Sequence, residues 1–79
     1  VASADLNIRK VVEMALLTSA SAVILAHNHP SGVALPSQAD VQATVQVRDA
    51  LKRLDIRLID HIIVADGDYV SMASSGLLR

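Results

Sequence analysis

The sequence predicts a mixed α/β domain whose sheet is shielded by helices, and three observations carry that expectation. Apolar residues recur with helical spacing near the start of the chain. A short run that is apolar on both faces follows, and two further strand-like runs meet across an Asp66-Gly67 pair. Taken in order these give helix, strand, helix, strand, strand, the layered alternation of an α/β fold.

In the first helix, Ile8, Val11, Val12, Ala15 and Leu16 follow the i, i+3, i+4, i+7, i+8 spacing of an amphipathic face. The helix is placed at about Asp5 to Leu17, and Thr18 to Ser21 read as a loop. Ala22 to His29 reads as a strand with Val23, Leu25, His27 and His29 on one face and Ala22, Ile24, Ala26 and Asn28 on the other. Both faces begin apolar, which predicts a central strand covered on two sides. The apolar character stops at His27, so polar groups gather at the strand's C-terminal end. Pro30-Ser31-Gly32 is turn chemistry, and the loop runs on to Pro36. Ser37 is placed as a helix N-cap with Asp40 three residues on, as in a capping box. That helix is expected to reach about Leu54, with Thr44, Val47, Leu51 and Leu54 inward and Val41 and Val45 beside them. Its outer face is Gln38, Gln42, Gln46, Asp49, Lys52 and Arg53. Arg57 to Val64 forms the next strand, Asp66-Gly67 the hairpin turn and Tyr69 to Met72 the returning strand.

Composition narrows the chemistry. Seventy-nine residues make one small domain at most, and a hydrophobic fraction of 52% without Phe or Trp means a core of Val, Ile, Leu and Ala. Seven basic against eight acidic residues, and Tyr69 as the sole aromatic, argue against a strong direct nucleic-acid surface. With no cysteine, disulfides and thiolate ligands are excluded, so any metal must be held by nitrogen and oxygen. No apolar run approaches the ~20 residues of a membrane span, and no charged-then-apolar leader opens the chain; a cytoplasmic location is expected.

His27 and His29, two apart on a strand, share a face, and their imidazoles can converge on one ion. For a bare His-x-His pair, two ordinary strand-end histidines are the better reading. Asp40 shifts the balance. Extending the helix's inner stripe backwards from Leu51 through Val47 and Thr44 reaches Asp40, and a core-facing carboxylate needs a partner or a cation. A first-turn carboxylate favoured by the helix dipole and the capping box is the other reading, and the two are compatible. Ser37 likewise has two roles open to it, as N-cap or as a hydroxyl that stabilises a developing oxyanion. His61 follows Asp60, but neighbouring strand residues face opposite ways, so a structural, hydrogen-bonded histidine is the simpler reading. Asp66 and Asp68 flank a turn glycine and read as turn formers. Glu13, the only glutamate, falls off the first helix's buried stripe one turn from Arg9, where an exposed ion pair is expected.

The wording His27-Asn28-His29-Pro30-Ser31-Gly32, followed by Ser37 and Asp40, resembles the JAMM pattern His-x-His, seven residues, Ser, two residues, Asp. Together with Leu58-Ile59-Asp60-His61 and Gly67-Asp68-Tyr69-Val70-Ser71, the chain looks like the RadC family along essentially its whole length. The resemblance implies a JAB/MPN-like, cytidine-deaminase-like architecture, of which residues 1–79 are the C-terminal portion of a single domain and the N-terminal strands lie upstream. It implies one Zn²⁺ per chain held by His27, His29 and Asp40, with water in the fourth position and Ser37 steadying the tetrahedral intermediate. Three protein ligands plus an open position is the catalytic zinc arrangement. The family's general base is a glutamate on a strand before the first helix, and Val1 to Leu6 do not supply one. The expected function is a zinc-dependent metallopeptidase or isopeptidase acting on a peptide or protein substrate. A non-catalytic, metal-stabilised interaction module serving DNA repair through partners is the alternative. An exposed sheet edge predicts that the isolated chain aggregates or pairs as a homodimer.

Overall fold

The computed structural model describes residues 6–78. Five elements follow one another: α1 (Ile8–Leu17), β1 (Ala22–Asn28), α2 (Gln38–Lys52), β2 (Arg57–Ala65) and β3 (Asp68–Ser71). The fold is α/β, as expected. Asn7 caps α1, its side chain accepting from the Lys10 backbone N–H. Asp5, where the sequence starts this helix, lies outside the described residues. Ala15 is buried, and Ile8, Val11 and Val12 pack against the core around it. Leu16 is exposed instead of inward, because it lies about 80° round the helix from Ile8, at the margin of the apolar face.

The second helix forms where its capping box places it. The Ser37 side chain accepts from the Asp40 N–H at 3.0 Å, and the Asp40 carboxylate accepts from the Ser37 N–H at 2.6 Å. Its far end differs from expectation. The helix stops at Lys52 and Asp55 takes a left-handed φ of 61°, so Leu54 is turned out and 44% exposed. The Ile56 N–H reaches back to the Leu51 carbonyl at 2.9 Å, and Ile56 fills the buried place assigned to Leu54. This is a Schellman ending, with its apolar contact between Ile56 and Leu51.

The three strands lie in the order β1-β2-β3. β1 and β2 run parallel, with α2 as the crossover between them, and β2 and β3 form an antiparallel hairpin. Asp66 and Gly67 both have positive φ, 46° and 77°, which a two-residue turn between twisted strands requires. Both helices contribute to one core, where Ala15, Val47, Leu51, Ile56 and Leu58 meet Val23 and Leu25 of β1. The sheet is therefore shielded on one face. This corrects the expectation of a central strand covered on both sides: among the described residues β1 is an edge strand, β2 is central, and Ile24 on the far face is 60% exposed. Alternation along β1 is as read from sequence, with Val23, Leu25 and His27 the better covered face.

One irregularity positions the site. The β1–β2 register runs Val23 to Leu58 and then Ile24 to Asp60, so Ile59 is an extra residue. A bulge of this kind exchanges the faces of everything beyond it. Leu58 stays in the core, and His61, Ile63 and Ala65 then also turn inward.

Candidate metal centre

Three elements meet beyond the C-terminal end of β1. The strand delivers His27 and, through one more ladder bond from the His29 N–H to the Val64 carbonyl at 2.9 Å, His29. The first turn of α2 delivers Asp40, and the centre of β2 delivers His61 from beneath. Asp40 is 1% exposed and His61 also 1%, so each needs a polar partner to be tolerated there.

The geometry brings the expected ligand set together. His29 Nε2 lies 2.9 Å from Asp40 Oδ2, and His27 Nε2 lies 3.7 Å from Asp40 Oδ1. One ligand atom from each of the three residues falls within 4.8 Å of the others. Zinc bonds of ~2.0–2.1 Å at tetrahedral angles put neighbouring ligand atoms about 3.3 Å apart, and the two observed separations straddle that figure.

Hydrogen bonds behind the site assign the protons. The Thr44 hydroxyl donates to the Asp40 carbonyl at 2.6 Å, which uses its only hydrogen. The 2.7 Å contact between Thr44 Oγ1 and His61 Nδ1 therefore has Nδ1–H as donor. A neutral His61 then offers Nε2 as an acceptor, and the 2.7 Å contact to His27 Nδ1 is a bond donated by His27. His27 is left with a lone pair on Nε2, a buried atom with no hydrogen-bond partner among the described residues. On the other side, His29 Nδ1 donates to the Val33 carbonyl at 2.9 Å, since a carbonyl can only accept. In a neutral His29 the Nε2 lone pair then also faces the carboxylate. Two imidazole lone pairs and a carboxylate directed at one another need a positive charge between them, from a proton or from a metal ion.

Burial favours the neutral form of His27 and His61. Burial, chiefly, and the neighbouring His27 push His61 down to about 4, against the opposite pull of Asp40 and Asp60. Burial also lowers His27, with Asp40 opposing and His29 adding to the shift. Neutral imidazole is the metal-binding form.

The other singled-out residues divide cleanly. Ser37 sits beside the centre as the N-cap, with its hydroxyl on the Asp40 N–H. Glu13 makes the expected exposed pair with Arg9, at 3.4 Å, on α1 and apart from the cluster. Asp68 accepts from the Tyr69 N–H in its turn. Asp60 faces away from His61 and accepts from the His61 and Ala73 N–H groups and the Ser71 hydroxyl. Burial alone would raise its pKa, but those bonds and the nearby His61 hold it below the ordinary value. His61 is where sequence reading fell short. It is structural and hydrogen-bonded, as expected, yet its partner is a candidate ligand, and only the bulge at Ile59 turns it that way. Its burial beside Leu58 follows from that bulge, since a regular strand cannot bury both on one face.

Comparison with known sequences gives the family. A profile described as the RadC-like JAB domain matches residues 1–77. A UPF0758 protein of Stutzerimonas stutzeri is 59% identical over 68 residues, 86% of this chain and 30% of the relative. Another from Nitrosococcus oceani is 55% identical over 75 residues, 95% of this chain and 34% of the relative. A third, from Cellvibrio japonicus, is 54% identical over 70 residues, 89% and 31% respectively. The chain therefore spans about a third of the length of these relatives. Among the described residues no helix is long and apolar enough to cross a membrane.

Proposed function

The chain belongs to the RadC-like JAB domain family, and on that premise we propose that it forms the metal-holding part of a zinc-dependent hydrolase of peptide or isopeptide bonds. One observation supports this above the rest: two imidazole nitrogens and a buried carboxylate bring their ligand atoms within 4.8 Å of one another, a donor set that a cation fits. His27, His29 and Asp40 would hold the ion. Zinc there would supply Lewis acidity and activate water for attack on a carbonyl. The Ser37 hydroxyl, at the mouth of α2, is the candidate donor to the developing oxyanion, and the N-terminal dipole of the helix acts in the same sense. A general base must come from another glutamate or carboxylate, because Glu13 is held on the exposed face of α1. That position of Glu13 also favours a second reading, a metal-stabilised interaction module acting through protein partners in a DNA-repair setting. Both readings belong to a cytoplasmic protein with weak, non-specific nucleic-acid binding, in keeping with its net charge of -1.

The test begins with metal. One zinc per chain is expected by elemental analysis after chelator-free purification. His27→Ala/His29→Ala and Asp40→Asn should lose it, and undiminished metal in the double variant would overturn the ligand assignment. A peptidase or isopeptidase assay on the zinc-loaded chain, extended at its N-terminus to supply the general base, then separates the two readings. Turnover that falls ~10²-fold or more in Ser37→Ala at unchanged metal content marks the hydrolase, whereas metal without turnover marks the module.

A further inference from the structure

We propose that His61 is a positioning residue for this centre: it accepts the Nδ1 proton of His27 and thereby holds His27 in the tautomer whose Nε2 lone pair faces Asp40. This role rests on the reading of His27, His29 and Asp40 as ligands. A neutral imidazole has one N–H, and its placement decides whether the other nitrogen can bind a metal. Left to solvent, His27 would exchange between its two tautomers. Here the choice is imposed from the interior. The Asp40 carbonyl fixes the Thr44 hydroxyl at 2.6 Å, Thr44 fixes the Nδ1–H of His61 at 2.7 Å, and the remaining Nε2 of His61 can only accept from His27, at 2.7 Å. Thr44 is 0% exposed, so water does not compete for that bond.

The relay also closes on itself. It starts at the backbone carbonyl of Asp40 and ends at the nitrogen that faces the Asp40 side chain, so one residue both supplies a ligand and sets its neighbour's proton. His29 is fixed independently, by the Val33 carbonyl in the loop. The two histidines therefore have separate supports, one buried and one local. Partners that orient a metal-binding histidine in this way typically contribute 10- to 100-fold in metal affinity.

Two substitutions in the full chain separate positioning from packing. His61→Gln keeps an acceptor oxygen near the place of Nε2, and His61→Phe keeps a planar ring without one. Imidazole ¹⁵N spectra of the metal-free protein should show Nδ1–H at His27 in the wild type and in His61→Gln, and loss of that preference in His61→Phe. Zinc affinity, measured by competition with a chromogenic chelator, should fall about 10- to 100-fold in His61→Phe and less in His61→Gln. A folded His61→Phe with wild-type affinity, or with an unchanged His27 tautomer, would overturn the proposal. Should that variant not fold, the wild type alone decides, since Nε2–H at His27 in the metal-free protein is incompatible with it. Failure of the ligand assignment is distinct: the wild type would then take up no zinc while the ¹⁵N pattern of His27 still reported on His61.

Discussion

His61 has no place for a second proton. Its Nδ1–H is given to Thr44, its Nε2 accepts from His27, and burial holds it near a pKa of about 4, against an ordinary 6.5. Between these two values the unfolded chain binds more protons than the folded one. The stability it contributes is therefore complete above pH 6.5 and is lost as pH falls toward 4, on the order of 3 kcal/mol in all. His27, shifted the same way, adds to the loss. Urea melts of the metal-free protein between pH 7.5 and 4.5 should show the midpoint falling, and a flat profile would mean that the buried imidazole is not held neutral. His27, His29 and Asp40 were legible in the sequence because period-2 and period-3.6 patterns place them on known faces. His61 was not placed beside them, because a strand read as regular turns it away from Leu58.

At the scale of elements, the loop between β1 and α2 crosses the β2–β3 turn at Gly32. Gly32 has φ of +81°, and a Cβ there would stand 2.5 Å from the Asp66 carboxylate oxygen. Gly67 has φ of +77° but would meet nothing within 4 Å. Alanine at either position carries the left-handed penalty of about 1 kcal/mol. Gly32→Ala must also push the Asp66 side chain aside, so its thermal midpoint should fall further than that of Gly67→Ala. Equal shifts would show that Asp66 yields freely. The same loop carries His29 and its Val33 bond, so Gly32→Ala should weaken metal binding while Gly67→Ala should not. The capped start of α2 was readable in Ser37 and Asp40, and the hairpin in Asp66-Gly67. The end of α2 was not: Leu54 continues the apolar stripe perfectly well, and only the reversal at Asp55 hands its place to Ile56.

Over the whole molecule, one sheet face is open and β1 has a free edge among the described residues. Ile24, Val64 and Tyr69 are exposed on this sheet, and Met14 of α1 is exposed beside the β1 edge. Unpaired backbone flanked by apolar side chains invites another strand. The 79-residue chain by itself is expected to self-associate in light scattering, and Ile24→Lys to reduce that association; a monomer that unfolds cooperatively would contradict this. The fold class was legible in the order of periodic segments, whereas the one-sided covering was not, since an apolar strand face looks the same in sequence whether or not something rests on it. The parallel pairing of β1 with β2 has a consequence in time. Those strands can join only after α2 has crossed between them, so the sheet is completed late. The three candidate ligands, however, all fall within residues 27–40, whereas His61 is 34 residues beyond His27. Closing the shorter loop is easier by about 1 kcal/mol. A chain still assembling would thus offer a cation a loose grip, and that grip would tighten when the last imidazole arrives with the finished ladder.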